Sequence, residues 1–212
     1  MNAIMVKNLT KKFKEATVLD NISVDFEAGK VHGLIGRNGS GKTMLMKCIC
    51  GIVPYKIGEI RVNGKIIGKD VDIPANVGVI IETPGFLPNY SGFNNLKFLA
   101  KIKNKMSANE IKNAIKSVGL NPDDKKHVGK YSLGMRQRLG LAQAIMENPD
   151  LLILDEPMNG LDKDGVKDMR QYLLDLKAQG KTILIASHSA EDIDVLCDTV
   201  CEMDKGSLTT IR

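Results

Sequence analysis

The stretch Gly36-Arg37-Asn38-Gly39-Ser40-Gly41-Lys42-Thr43 follows a short apolar run, Val31–Ile35, and leads into TMLMKCICGIV, whose apolar residues recur at helical spacing. It matches G-x-x-x-x-G-K-[ST] between a strand and a helix. The glycines let the backbone curl so that several N–H groups face one anion. The helix that follows presents its positive end to the same point. Lys42 then neutralises β- and γ-phosphates, and the Thr43 hydroxyl is a ligand for Mg²⁺. Met44, next along the helix, joins residues 36–43 as a candidate nucleotide contact. A glycine-rich turn with an incidental lysine is the bland alternative. Ordinary residue frequencies give this pattern by chance roughly one time in a hundred in a chain this long, and the strand-loop-helix context makes chance less plausible still.

Farther along the chain, Leu151-Leu152-Ile153-Leu154-Asp155-Glu156-Pro157 reads as an apolar strand ending in two acids. A strand buried on both faces places Asp155 at the carboxyl edge of a parallel sheet, where open α/β folds bind ligands. Asp155 there is a candidate for the Mg²⁺ shell, and Glu156 for the general base that polarises an attacking water.

The remaining pattern is a frame around these two sites. Residues 3–6 and 22–26 read as strands, with a polar break at residues 8–12 between them. Residues 58–67 read as a hairpin turning at Asn63-Gly64, and 77–81 as a buried strand. The middle is helical. An apolar stripe covers 93–102, a capping box Ser107-Ala108-Asn109-Glu110 opens a helix that ends at Gly119, and a further helix fits 133–147 before Asn148-Pro149. After it come a strand at Leu151–Asp155, a helix at Lys163–Ala178, a strand at Thr182–Ala186, a helix at Ala190–Leu196, and short strands at 199–203 and 208–211. Such alternation implies a mainly parallel sheet with crossover helices, interrupted by a helical lobe.

Bulk properties narrow the partners. The chain has 212 residues, 43% hydrophobic and 26% charged, with a net charge of +5. That is the profile of a globular protein, and too mild a basic balance for a dedicated nucleic-acid binder. Lys101, Lys103 and Lys105, and the pair Lys125 and Lys126, read as solvated faces, with an anionic membrane surface as the sharper alternative. The apolar runs are far shorter than the about 18 residues of a spanning helix, and the N-terminus does not read as a secretory signal. A membrane role therefore needs another chain to cross the bilayer. Cys48, Cys50, Cys197 and Cys201 have no zinc-like spacing and read as buried free thiols.

Taken in order along the chain, these residues resemble the nucleotide-binding domain of ABC transporters. Tyr131-Ser132-Leu133-Gly134-Met135, followed by Arg136-Gln137-Arg138, is similar to the signature LSGGQ and its basic tail. Asn159-Gly160-Leu161-Asp162 resembles the loop that passes between two subunits. His188, after the strand Thr182–Ala186, falls where the family carries its switch histidine. Phe13, with Val18 beside it, falls where the family sets an aromatic under adenine. The resemblance implies a P-loop NTPase (RecA-like) α/β core with a mainly parallel sheet, an N-terminal antiparallel β subdomain and an inserted α-helical subdomain. As a single domain over 1–212, residues 1–86 and 149–212 form the core with the β subdomain, and 87–148 the helical insert.

The same resemblance implies function. Glu156, His188 and Lys42 are catalytic. ATP is held by Phe13, Val18, residues 36–44, Glu82, Ser132, Gly134, Met135 and Asp162, and Mg²⁺ by Thr43, Glu82 and Asp155. Two copies sandwich two ATP molecules, with Ser132 and Gly134 of one copy completing the site of the other, and hydrolysis drives a separate transmembrane permease. The chain is then peripheral on the inner face of the cell membrane, cytoplasmic, with no nucleic acid expected. Three positions depart from the family: Leu133 for the first signature glycine, Met135 for its glutamine, and Glu82 for the glutamine after residues 77–81. Residues 81–86 with 131–135 resemble the subgroup that exports peptide antibiotics such as bacitracin and lantibiotics in self-protection. Rival readings are a soluble ABC ATPase acting on nucleic acid or the ribosome, a P-loop kinase of small metabolites, and a regulatory module with a dead site. Salt-sensitive nucleic-acid binding, a phosphorylated product, or ATP binding without turnover would distinguish them.

Overall fold

The computed structural model describes residues 1–103 and 106–212. Lys105 of the expected basic cluster lies outside the described residues, as does the side chain of Lys103. Two sheets organise the chain. One has six strands in the order β10-β9-β3-β8-β7-β6, formed by β3 (Val31–Ile35), β6 (Val77–Ile80), β7 (Leu151–Asp155), β8 (Thr182–Ala186), β9 (Thr199–Asp204) and β10 (Ser207–Thr210). Every pairing in it is parallel except β10 with β9. The mainly parallel sheet expected from alternation is therefore present.

The side-chain period of two, with both sheet faces covered, explains why β7 and β8 are apolar apart from Asp155 and Thr182 at their ends. Leu152 and Leu154 of β7, with Ile183 and Ile185 of β8, enter one core with α4 (Leu133–Ile145), α5 (Lys163–Ala178) and α6 (Ala190–Leu196). Leu151, Ile153, Leu184 and Ala186 enter a second core with α1 (Lys42–Ile49) and the other sheet. All residues of both strands are buried. Cys48, Cys50, Cys197 and Cys201 are free and buried in these cores, as expected.

The second sheet is antiparallel, ordered β2-β1-β4-β5, from β1 (Asn2–Phe13), β2 (Ala16–Glu27), β4 (Ile57–Val62) and β5 (Lys65–Ile66). The expected Asn63-Gly64 turn joins β4 to β5, with φ of 48° and 78°. The expected polar break at residues 8–12 is not a break. β1 runs through it by register shifts, with Asn8 at φ 49° and, on β2, Asn21 also at φ 49°. The amides freed by this irregularity are satisfied by hydroxyls: Asn8 N–H donates to Ser23 Oγ and Asn21 N–H to Thr10 Oγ1. Polar side chains here serve the strand's hydrogen bonding, which a simple alternation rule does not detect.

Between β6 and β7 the chain forms α2 (Gly92–Lys103), α3 (Ala108–Ser117), a short 3₁₀ turn (Val128–Lys130) and α4. The Ser107–Glu110 capping box is closed in both directions, and Gly119 ends α3 at φ 77°. No described helix is long and apolar enough to cross a membrane.

Candidate functional site

Parallel strands share one carboxyl edge, so the segments leaving β3, β6, β7 and β8 emerge side by side. They carry the phosphate loop, Glu82, the Asp155–Glu156 pair and His188. The register aligns them: Leu34 pairs with Ala186, Asp155 with Ala186, and Ile80 with Leu154. A cleft of about 590 Å³ opens there, lined by Asn38, Gly39, Gly41, Lys42, Thr43 and Met44 from one wall and by Glu82, Asp155, Glu156 and Asn159 from the other. Val18 also lines it, from β2 of the antiparallel sheet.

The phosphate loop is preformed. Lys42 Nζ donates to the carbonyls of Gly36 (2.7 Å) and Arg37 (3.1 Å), which folds the lysine back along the loop. Gly36 has φ 142°, and a Cβ there would stand 2.2 Å from Met203 O and 2.8 Å from Ser40 Oγ, so no side chain fits. Ser40 Oγ is buried without a hydrogen-bond partner, a polar atom left open inside the curled loop, as an anion-binding cradle would need. The loop is also tied from outside: Ser40 O accepts from Gly206 N–H at 2.9 Å, while Gly206 O accepts from Asp20 N–H at 2.9 Å. Gly206, in the turn between β9 and β10, thus joins the loop to the antiparallel sheet.

Thr43 Oγ1 donates to Asp155 Oδ2 at 2.6 Å, bringing two of the three metal-ligand candidates together. Among the described residues, no cluster of three or more His, Cys, Asp or Glu could hold a metal alone. A hydroxyl and a carboxylate as hard oxygen donors suit Mg²⁺ that shares its remaining shell with phosphates and water. Glu156 has φ 50°, and its amide donates to Ala186 O at 2.9 Å. Its Oε2 lies 2.8 Å from Nδ1 of His188, whose side chain is otherwise exposed. Gln137 of α4 donates through Nε2 to the Glu156 carbonyl at 3.2 Å.

Several other candidates stand apart from this cleft. Ser132 caps α4, with its Oγ accepting from Met135 N–H, and Asp162 caps α5, with its Oδ1 accepting from Gly165 N–H. Ser132, Gly134, Met135 and Asp162 do not line the cleft, whereas Leu133 does. Phe13 also stands outside the lining, exposed at the end of β1, with Lys11 Nζ 4.6 Å from its ring centre. Glu82 lines the cleft at φ 61°, its carboxylate 2.6 Å from Lys47 Nζ.

Sequence reasoning missed Lys47, Gln137 and Gly206. Lys47 lies one helical turn after Thr43, a spacing that could have placed it on the cleft face. Gln137 had a signal too, in the basic-Gln-Arg stretch. Gly206, in a short turn near the end of the sheet, had none.

Comparison with known proteins agrees with this geometry. The model of the ABC transporter family matches residues 19–159. An uncharacterized ABC transporter ATP-binding protein, YybJ of Bacillus subtilis (strain 168), is 50% identical over 98% of this chain and 95% of its own. The bacitracin transport ATP-binding protein BcrA of Enterococcus faecalis is 42% identical over 97% of this chain and 67% of its own. The dimeric structure of MJ0796, a bacterial ABC transporter cassette, superposes with a TM-score of 0.88 over 99% of both chains at 20% identity, which shows the shared fold. The chain belongs to the ABC transporter family, and it matches an ATP-binding protein of that family over nearly its full length.

Proposed function

We propose that this chain binds Mg²⁺–ATP in the cleft at the carboxyl edge of its sheet, hydrolyses it within a dimer of two copies, and thereby drives a separate transmembrane permease that exports a peptide antibiotic, a drug or a related amphiphile. The observation that carries the reading is the 2.6 Å bond between Thr43 and Asp155 beside a loop whose lysine and glycines are already set for phosphates. Thr43 and Asp155 would hold the metal, which would supply withdrawal of charge from the phosphates. Lys42 and the loop amides orient the triphosphate. Glu156 accepts a proton from the attacking water, and His188 fixes the Glu156 carboxylate through Nδ1. The exposed Phe13 is a platform for adenine, with Val18 beside it.

Dimerisation follows from where the signature lies. Ser132 and Gly134 begin α4, whose free amides suit an anion, yet they do not line the cleft of their own chain. A second copy supplies them, and Asp162 lies on the loop between the copies. The helical insert is residues 87–148. The chain works on the inner face of the membrane beside the permease, without nucleic acid. Bacitracin transport by the relative BcrA supports the cargo class.

Two experiments test this. Purified protein should hydrolyse ATP in a Mg²⁺-dependent manner, and Lys42→Ala should abolish it; turnover that survives Lys42→Ala would refute the site. A tagged chain should capture a polytopic membrane protein from detergent extract; recovery of ribosomes or nucleic acid instead would refute the transport reading.

A further inference from the structure

Lys47 and Glu82 come from different elements and meet at the cleft wall. Lys47 lies on α1, one turn beyond Thr43, so the helical repeat turns it toward the same side. Glu82 follows β6 and is held at φ 61°, a conformation that glutamate adopts only where its surroundings fix it. The lysine is mostly covered, with 21% of its side chain exposed, and the glutamate is open, at 64%. Their charged atoms lie 2.6 Å apart.

An ion pair whose carboxylate is open to water contributes little to folding, so stability does not account for this one. Charge at the cleft does. The charged side chains among the described residues that line it are Lys42, Lys47, Glu82, Asp155 and Glu156. Two cations therefore face three carboxylates in a site that must receive a triphosphate. Without Lys47 the carboxylates would outnumber the cations three to one. With a neutral amide at position 82 the charges would balance.

We propose that Lys47 is the counter-ion that makes a glutamate at position 82 compatible with a bound triphosphate, the two side chains together serving as a neutral pair in place of an uncharged amide. Lys47 is thus a positioning residue, acting on nucleotide through Glu82. The pair also ties the phosphate helix to the segment that leads into α2. This inference rests on the reading of the cleft as the ATP site.

The test is a fluorescence titration with a mant-labelled ATP, with and without Mg²⁺, on the wild-type chain and on Lys47→Met, Glu82→Gln and the double variant. Lys47→Met should weaken binding roughly three- to tenfold, and Glu82→Gln should tighten it by a similar factor. The double variant should return to within about twofold of wild type, and both single effects should shrink in high salt. Tightening in Glu82→Gln reports on a folded protein, so it keeps the test independent of damage by Lys47→Met. The proposal is overturned if Glu82→Gln weakens binding, as loss of a direct metal ligand would, or if the double variant binds no better than Lys47→Met. A wild-type chain that does not bind the probe would overturn the ATP-site reading, and this inference with it.

Discussion

Nδ1 of His188 lies 2.8 Å from Oε2 of Glu156, joining the segment after β8 to the acid that ends β7. The contact orients a carboxylate whose backbone is already fixed by Ala186 and Gln137. His188→Ala frees that carboxylate without removing it or touching the phosphate loop. ATP turnover should fall on the order of 10²-fold, the scale of one acid–base contribution, while nucleotide affinity stays within about threefold. Parallel turnover and binding measurements check it; equal losses in both would mean that His188 acts in binding.

The segment carrying His188 is clamped from α5. Arg170 reaches Asp192 through Nε (2.7 Å) and Nη2 (2.6 Å), and Asp192 accepts from Ser187 Oγ at 3.1 Å. Asp192 is buried, and hydrogen bonding to Glu191, then to Asp192, holds the Arg170 guanidinium more firmly protonated than usual. Arg170→Leu leaves a buried carboxylate without its cation and should cost about 3 kcal/mol. Adding Asp192→Leu should recover a substantial part of that loss. Urea unfolding of the two variants measures both.

Gly206 offers a sharper test of loop support. At φ 86°, a Cβ there would come within 2.7 Å of Val18 O, on the strand that reaches the cleft. Gly180 has a similar φ of 81° but open space around it. Alanine at either position incurs the left-handed backbone cost of about 1 kcal/mol. Only Gly206→Ala should also weaken ATP binding, by several-fold, because it displaces Val18 and the Gly206–Ser40 bond. Equal affinities in the two variants would show that the turn does not support the loop.

Two sets of buried groups set the pH limits. Burial pushes the thiols of Cys48 up to about 11, and of Cys50 and Cys197 up to about 12. Their contribution to stability is full below the ordinary thiol range and is lost as pH rises toward those values. At pH 8 the native chain should resist a thiol-specific reagent, and all four cysteines should react on unfolding. His32 shifts the other way: burial lowers its pKa, while its Nε2 donates to Glu27 O and its Nδ1 accepts from Thr199 Oγ1. This neutral ring contributes stability above about pH 6.5 that is lost as pH falls through its folded value. The urea midpoint should therefore drop between pH 7 and 5.5, and His32→Gln should flatten that drop.

Residues whose chemistry forces a pattern were legible in the sequence. The loop at 36–43 needs its glycines and lysine at fixed spacing, and a strand buried on both faces needs the run at 151–154, so both segments could be placed at one sheet edge. Ser107 with Glu110 announced its helix because two side chains must answer two free amides. What was hidden depends on tertiary contact. Lys47 reads as an ordinary charge on a helix until Glu82 is seen beside it. Asn8 and Thr10 read as a polar break until Ser23 and Asn21 are seen across the strand pair. Gly206 belongs to an unremarkable turn, and its two bonds to Asp20 and Ser40 arise only from how the sheets meet.

Hydrolysis by Glu156 in a site shared between two copies is the proposal on which the rest depends. It is tested most directly by Glu156→Gln, which keeps the shape and hydrogen-bonding reach of the side chain but removes the base. ATP turnover and oligomeric state would be measured together, the latter by light scattering in Mg²⁺–ATP. Turnover should fall by at least about 10²-fold, and a stable ATP-dependent dimer should form. Wild-type turnover in this variant, or a monomer that retains bound ATP, would overturn the shared Glu156 site.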